Sequence, residues 1–177
     1  MKTTLPLLLG LCAVGAAPLA YSAAADAKPA TTVDAKAVSR GDRNFVEKAA
    51  KAGTAEVAIS QAALPHLTNT QAKEFASMMV ADHTGANREL TALAGRKGIT
   101  LPADKVDTDK WTKAKDKNYD AEYIDKMVSD HDDAVKLFTD ASKKSDDPEL
   151  QAFAAKTLPT LQAHYAKAKA IKDALKR

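Results

Sequence analysis

Four stretches of this chain carry apolar residues three and four positions apart, the spacing that places them on one face of a helix. The first runs from about Arg43 to Leu64 and stops at Pro65. Its inward stripe is Phe45, Ala49, Ala52, Gly53, Glu56, Ile59 and Ala63, mostly small residues that let a neighbour approach closely. The second ends near Lys97, where Gly98 supplies a stop signal. The third spans about Tyr119 to Lys144, and the fourth runs from Pro148 almost to Arg177 with Pro159 inside it as a kink site. Capping residues precede three of the four starts: Asp42 for the first helix, a Thr68/Gln71 capping box for the second, and Asp147 before Pro148 for the fourth. No strand pattern, glycine-rich phosphate loop or low-complexity tract interrupts them. The pattern predicts an all-α four-helix bundle.

The links are unequal. Those after the first and third helices are short, whereas Ile99–Asn118 is a connection of roughly 20 residues, against the ~2–8 usual between neighbouring helices. It contains Pro102 and, around Trp111, the makings of a short helix. A link of that length is enough to return the chain along the bundle, so the second and third helices are expected to run parallel.

Those same two helices carry a repeat. Met79-Val80-Ala81-Asp82-His83 recurs as Met127-Val128-Ser129-Asp130-His131, with Phe75 matching Tyr123 and Leu90 matching Phe138. His131 shares its face with Ile124, Met127, Val128, Ala134, Val135 and Phe138, and His83 shares its own with Ala76, Met79, Val80, Ala86, Asn87 and Leu90. Both imidazoles thus point inward. At ~1.5 Å per residue, His83 lies ~20 Å into its helix, His131 ~18 Å into its own and His164 ~24 Å into the fourth. The first and fourth helices echo each other too. Phe45 precedes Glu56, and Phe153 precedes His164, by the same interval. One polar side chain per helix, near one height, is the expected constellation: Glu56, His83, His131 and His164.

Two readings of it stand side by side. In one, a hydrogen-bonded polar layer satisfies each ring nitrogen, with Glu56, Asp82 and Asp130 as acceptors. In the other, the three histidines with Glu56 hold a single transition-metal ion, because neutral imidazole suits Zn, Cu and Fe and a carboxylate helps balance the charge. Asp82 and Asp130 point about 100° away from the histidines they precede. They either face solvent or orient a histidine on another helix. Met79 and Met127 are core filler, or soft ligands that would favour Cu(I). His66, beside Pro65, reads as a surface residue.

Composition narrows the chemistry. The N-terminus has Lys2, an apolar run from Leu5 to Ala20 and then small residues, the layout of a secretory signal peptide over 1–23. A polar, alanine-rich leader, 24–41, follows it, and the bundle occupies 42–177. The single cysteine, Cys12, falls in the signal segment, so the mature chain has no thiolate chemistry and no disulfide. A periplasmic or secreted protein with no membrane span after cleavage is expected. The formal net charge is +3 with both signs interleaved, which gives no nucleic-acid surface.

With these residues in place, the chain resembles secreted bacterial proteins of unknown function, often labelled outer-membrane proteins, whose domain is ferritin-like. The resemblance rests on Phe45-x10-Glu56-Val57, Phe75-Ala76-x2-Met79-Val80-x-Asp82-His83, its echo from Tyr123 to His131, and Phe153-Ala154…Leu158-Pro159…His164. It covers about Gly41 to Ile171. It implies an exported ferritin-like bundle with a long crossover between the second and third helices, and it implies no particular activity. Di-iron chemistry on such a fold uses paired Glu-x-x-His motifs. Here Val80, Val128 and Leu161 stand where those glutamates would be. The sequence therefore leans away from an enzyme and towards metal handling or envelope stress protection. The alternative is a structural or interaction protein of the envelope.

Overall fold

The first helix, α1 (Arg40–Ala63), begins where the Ser39 side chain accepts a hydrogen bond from the amide of Asp42 at 3.0 Å. Asp42, expected as the cap, lies instead in the first turn, buried, and accepts from the Ser145 hydroxyl at 2.5 Å. Both residues are of the capping type, and the tertiary contact with Ser145 decides between them. The structure, a computed structural model, describes residues 37–103, 105–113 and 117–176. The expected signal segment 1–23 and the leader up to residue 36 lie outside the described residues.

The second helix, α2 (Thr70–Arg96), is capped by Asn69, whose side chain accepts from the Ala72 amide, and not by the Thr68/Gln71 box. Thr68 is engaged elsewhere: its amide and hydroxyl both donate to Asp120 at the start of α3 (Tyr119–Lys144). Gly98 ends α2 as expected. Its φ of 63° lets the Ile99 amide reach back to the Ala94 carbonyl at 2.9 Å and the Gly98 amide to that of Gly95 at 3.2 Å. The fourth helix, α4 (Pro148–Leu175), starts with Pro148 in its first turn and Asp147 accepting from the amides of Glu149 and Leu150. It continues through Pro159 as one helix.

Two contacts fix the directions of the helices. Thr68 meets Asp120 where α2 and α3 both begin, and Lys97 meets Asp147 at 2.6 Å where α2 ends and α4 begins. The second and third helices therefore run parallel, and Ile99–Asn118 carries the chain back along the bundle. On the way a 3-10 turn, Asp109–Trp111, buries Trp111 against Tyr119 and Tyr123. Helix α1 packs along α2 and α3 along α4, with further contacts between α1 and α3 and between α2 and α4. The repeated helices α2 and α3 thus face each other across the bundle axis. No strand occurs among the described residues, and no helix among them is long and apolar enough to cross a membrane.

The apolar interior divides into two clusters along the axis. One gathers Phe45, Leu90, Phe138, Phe153 and Leu161. The other gathers Ile59, Phe75, Met79, Trp111, Tyr123 and Met127. The polar residues expected at mid-height lie between them.

Candidate metal centre

Parallel α2 and α3 bring the repeated histidines level, and α4 adds the third. The ring centroids lie 5.5 Å apart for His83–His131 and 5.4 Å for His83–His164 and for His131–His164. All three are buried, at 6, 0 and 2 % exposure for His83, His131 and His164, with Glu56 of α1 at 2 %. One ring nitrogen of each histidine lies within 4.8 Å of those of the other two.

Each ring is held by one nitrogen only. His131 Nδ1 lies 2.9 Å from the Met127 carbonyl. A carbonyl can only accept, so Nδ1 carries the proton and Nε2 keeps a bare lone pair. His164 Nε2 lies 2.9 Å from Asp82 Oδ2, so Nε2 donates to the carboxylate and Nδ1 is turned away from it. His83 Nδ1 lies 3.0 Å from Glu56 Oε2, and the other Glu56 oxygen lies 3.4 Å from His131 Nδ1. The opposite nitrogens (His83 Nε2, His131 Nε2 and His164 Nδ1) have no hydrogen-bond partner, nor does Glu56 Oε1. A buried polar atom without a partner costs about 1–3 kcal/mol. Three such nitrogens within one layer ask for a shared ligand.

Burial also sets the charges. It pushes Glu56 up to about 8, with the negative charge of Asp130 adding to the effect and Lys126 opposing it. It pushes His83 down to about 3, helped by repulsion from the other two rings, and His131 to about 4, opposed by the hydrogen bond to the Met127 carbonyl and helped by His164. At neutral pH the Glu56–His83 contact is therefore a carboxylic acid beside a neutral imidazole, not an ion pair. The rings of His83 and His131 are in the uncharged form that metal binding requires.

Of the expected site residues, the converging set is the three histidines, without Glu56. Glu56 meets both rings at Nδ1, away from the free nitrogens. Asp82, with its side chain 45 % exposed, does reach a histidine on another helix. Asp130 does not: both its oxygens lie 2.9 Å from Lys126 Nζ. Sequence symmetry suggested equal roles, but His164 belongs to α4, beside α2, and only Asp82 has it within reach. Met79 and Met127 are fully buried in the cluster that also holds Phe75. His66 is half-buried rather than a surface residue, with its ring edge-on to Tyr119 at 6.1 Å.

Sequence reasoning passed over Gly53 and Asn87 as a pair. A Cβ on Gly53 would fall 2.1 Å from Asn87 Oδ1, so the glycine is what admits the amide between α1 and α2. A polar Asn87 on an apolar face, opposite a glycine on the facing stripe, was the available signal.

The chain belongs to the family described as "Domain of unknown function (DUF4142)", whose model matches residues 27–171. No curated protein matches it. Among solved structures it is similar to a DUF305 fragment from Deinococcus radiodurans, at 12 % identity and a TM-score of 0.67 over 77 % of this chain and 97 % of that one. It is also similar to CopM in the Cu(I)-bound form, at 18 % identity and a TM-score of 0.66 over 76 % of this chain and 96 % of that one. At such identities the likeness establishes the shared helical-bundle fold.

Proposed function

We propose that this DUF4142 bundle binds one transition-metal ion, copper first among Cu, Zn and Fe, through His83, His131 and His164, and serves metal handling in the cell envelope. One observation carries the reading: three buried histidines on three helices, each anchored at one nitrogen, with the other nitrogen unpartnered. Atoms within 4.8 Å of one another leave a centre under ~3 Å from each, against bonds near ~2 Å for imidazole on such ions. Small side-chain adjustments close that gap. In this reading Glu56 and Asp82 orient the ligands instead of binding the ion, as acceptors for the outer nitrogens of ligating histidines commonly do. Copper leads because all three donors are imidazole, two methionines lie one helical turn away, and a bundle of the same fold carries Cu(I). The apolar run from Leu5 to Ala20 supports export to the periplasm or beyond.

Elemental analysis and calorimetric titration of untagged protein test the site. Wild type is expected to hold one ion per chain and the His83→Ala/His131→Ala double variant none. Equal and negligible metal in both overturns the proposal. That outcome would favour a structural envelope protein with a hydrogen-bonded core, a reading to which the Glu56–His83 and Asp82–His164 contacts lend support.

A further inference from the structure

The two sides of the histidine layer are not alike. Towards one cluster the layer is closed by Phe75, whose ring centroid lies 6.3 Å from that of His164 and 6.5 Å from that of His131. Along α2, Leu90 lies on the other side of His83 from Phe75. There the layer meets a cavity of about 40 Å³ bordered by Glu56, His83 and His164. A void of that size exceeds the ~10–15 Å³ that one water needs. Its inner wall is apolar, with Leu90, Phe153 and Leu161, while Asp82, Asn87 and Thr160 line it towards the surface between α2 and α4.

Structural metal sites are closed by four protein ligands, whereas sites that exchange a ligand keep one position free. Here the donors number three, Glu56 is turned to the outer nitrogens, and no other His, Cys, Asp or Glu among the described residues joins the set. We infer that this cavity is a binding site for a small exogenous ligand of two or three heavy atoms, which completes the coordination of the ion held by the three histidines. The inference rests on the metal reading above and adds to it an open, exchangeable position. The half-polar, half-apolar wall suits a diatomic or triatomic molecule, neutral or singly charged, with one end at the ion and the other among Leu90, Phe153 and Leu161.

Carbon monoxide is the probe, since it binds Cu(I) through carbon and its stretching band reports the bond directly. Protein loaded with Cu(I) under reductant is exposed to carbon monoxide and followed in the infrared. Wild type is expected to show one saturable band. Ala86→Leu, which fills the cavity from α2 and leaves all three histidines in place, is expected to take up copper as before and to need at least tenfold more carbon monoxide for half-saturation. Thr157→Leu, filling it from α4, gives the same result by an independent route should the first variant fold poorly. Stoichiometric copper with no carbonyl band in wild type overturns the open position and leaves the metal site standing. Equal carbonyl affinity in wild type and both filled variants overturns the assignment to this cavity. Absence of copper from wild type removes the metal reading and the open position with it.

Discussion

The clusters on either side of the histidine layer are built from similar numbers of residues and pack differently. Around Phe75 the interior is closed: Phe75, Tyr123, Ile124, Met79 and Met127 are all fully buried, and the Tyr123 hydroxyl lies 2.8 Å from Ser60 Oγ. Around Phe153 three phenylalanines stack edge to face and tilted, at 5.1 Å for Phe45–Phe138 and 6.0 Å for Phe138–Phe153. Their α1 neighbours are Ala49, Ala52 and Gly53, which leave the void unfilled. Small residues on α1 serve two ends at once: they admit Asn87 and they keep space beside the rings. Density on one side holds the histidines in place, and emptiness on the other gives them something to face.

The sharpest way to break the comparison is to remove one aromatic from each side. Phe75→Ala is expected to cost about 5 kcal/mol and Phe153→Ala about 3, the two ends of the usual range for such truncations. Phe153 already borders a void and so gives up fewer contacts. Urea unfolding of the ion-free protein measures both, and equal costs would show that the two clusters pack alike.

The layer between them is expected to make ion-free stability depend on pH from both directions. Glu56 keeps its proton to about pH 8 when folded, against an ordinary value of 4.5. The folded chain thus binds the extra proton between those values, and stability falls as pH rises through them. His83 and His131 behave oppositely. Unfolded they protonate near 6.5, folded only near 3 and 4, so stability is lost as pH falls below 6.5. Two histidines outweigh one glutamate on the acid side, and Glu56 acts alone above it. Stability is expected to peak near pH 6.5 and, between about pH 4.5 and 8, to fall on either side by up to ~1.4 kcal/mol per pH unit. Glu56→Gln should flatten the alkaline flank and steepen the acid one in a series of urea midpoints. A Glu56→Gln profile identical to wild type would show that this carboxyl is not held protonated.

The smallest effect is a gain. Filling the void with Ala86→Leu is expected to raise the urea midpoint by an amount worth about 0.5–1 kcal/mol. A loss larger than that would mean that the space collapses or is already occupied.

Much of this was legible in the residues. The four helices, the Gly98 stop, the Asp147–Pro148 start and the inward histidines all follow from spacing and local backbone chemistry, which act within a few residues. The caps of α1 and α2 were misplaced because Asp42 and Thr68 are claimed by partners far along the chain, Ser145 and Asp120. The two alternatives left open for Asp82 and Asp130 resolve differently for each, because a repeat conveys likeness of sequence, not of neighbours.

The sequence by itself determined that three imidazoles and one glutamate face a common interior, since helical periodicity is a property of the chain alone. Only the tertiary structure decided which nitrogen of each ring is anchored, that Glu56 meets His83 from behind, and that a void lies on one side of the layer. Those outcomes depend on distances between helices. They are fixed by the crossover that sets α2 and α3 parallel and by the packing of small residues on α1 against their neighbours.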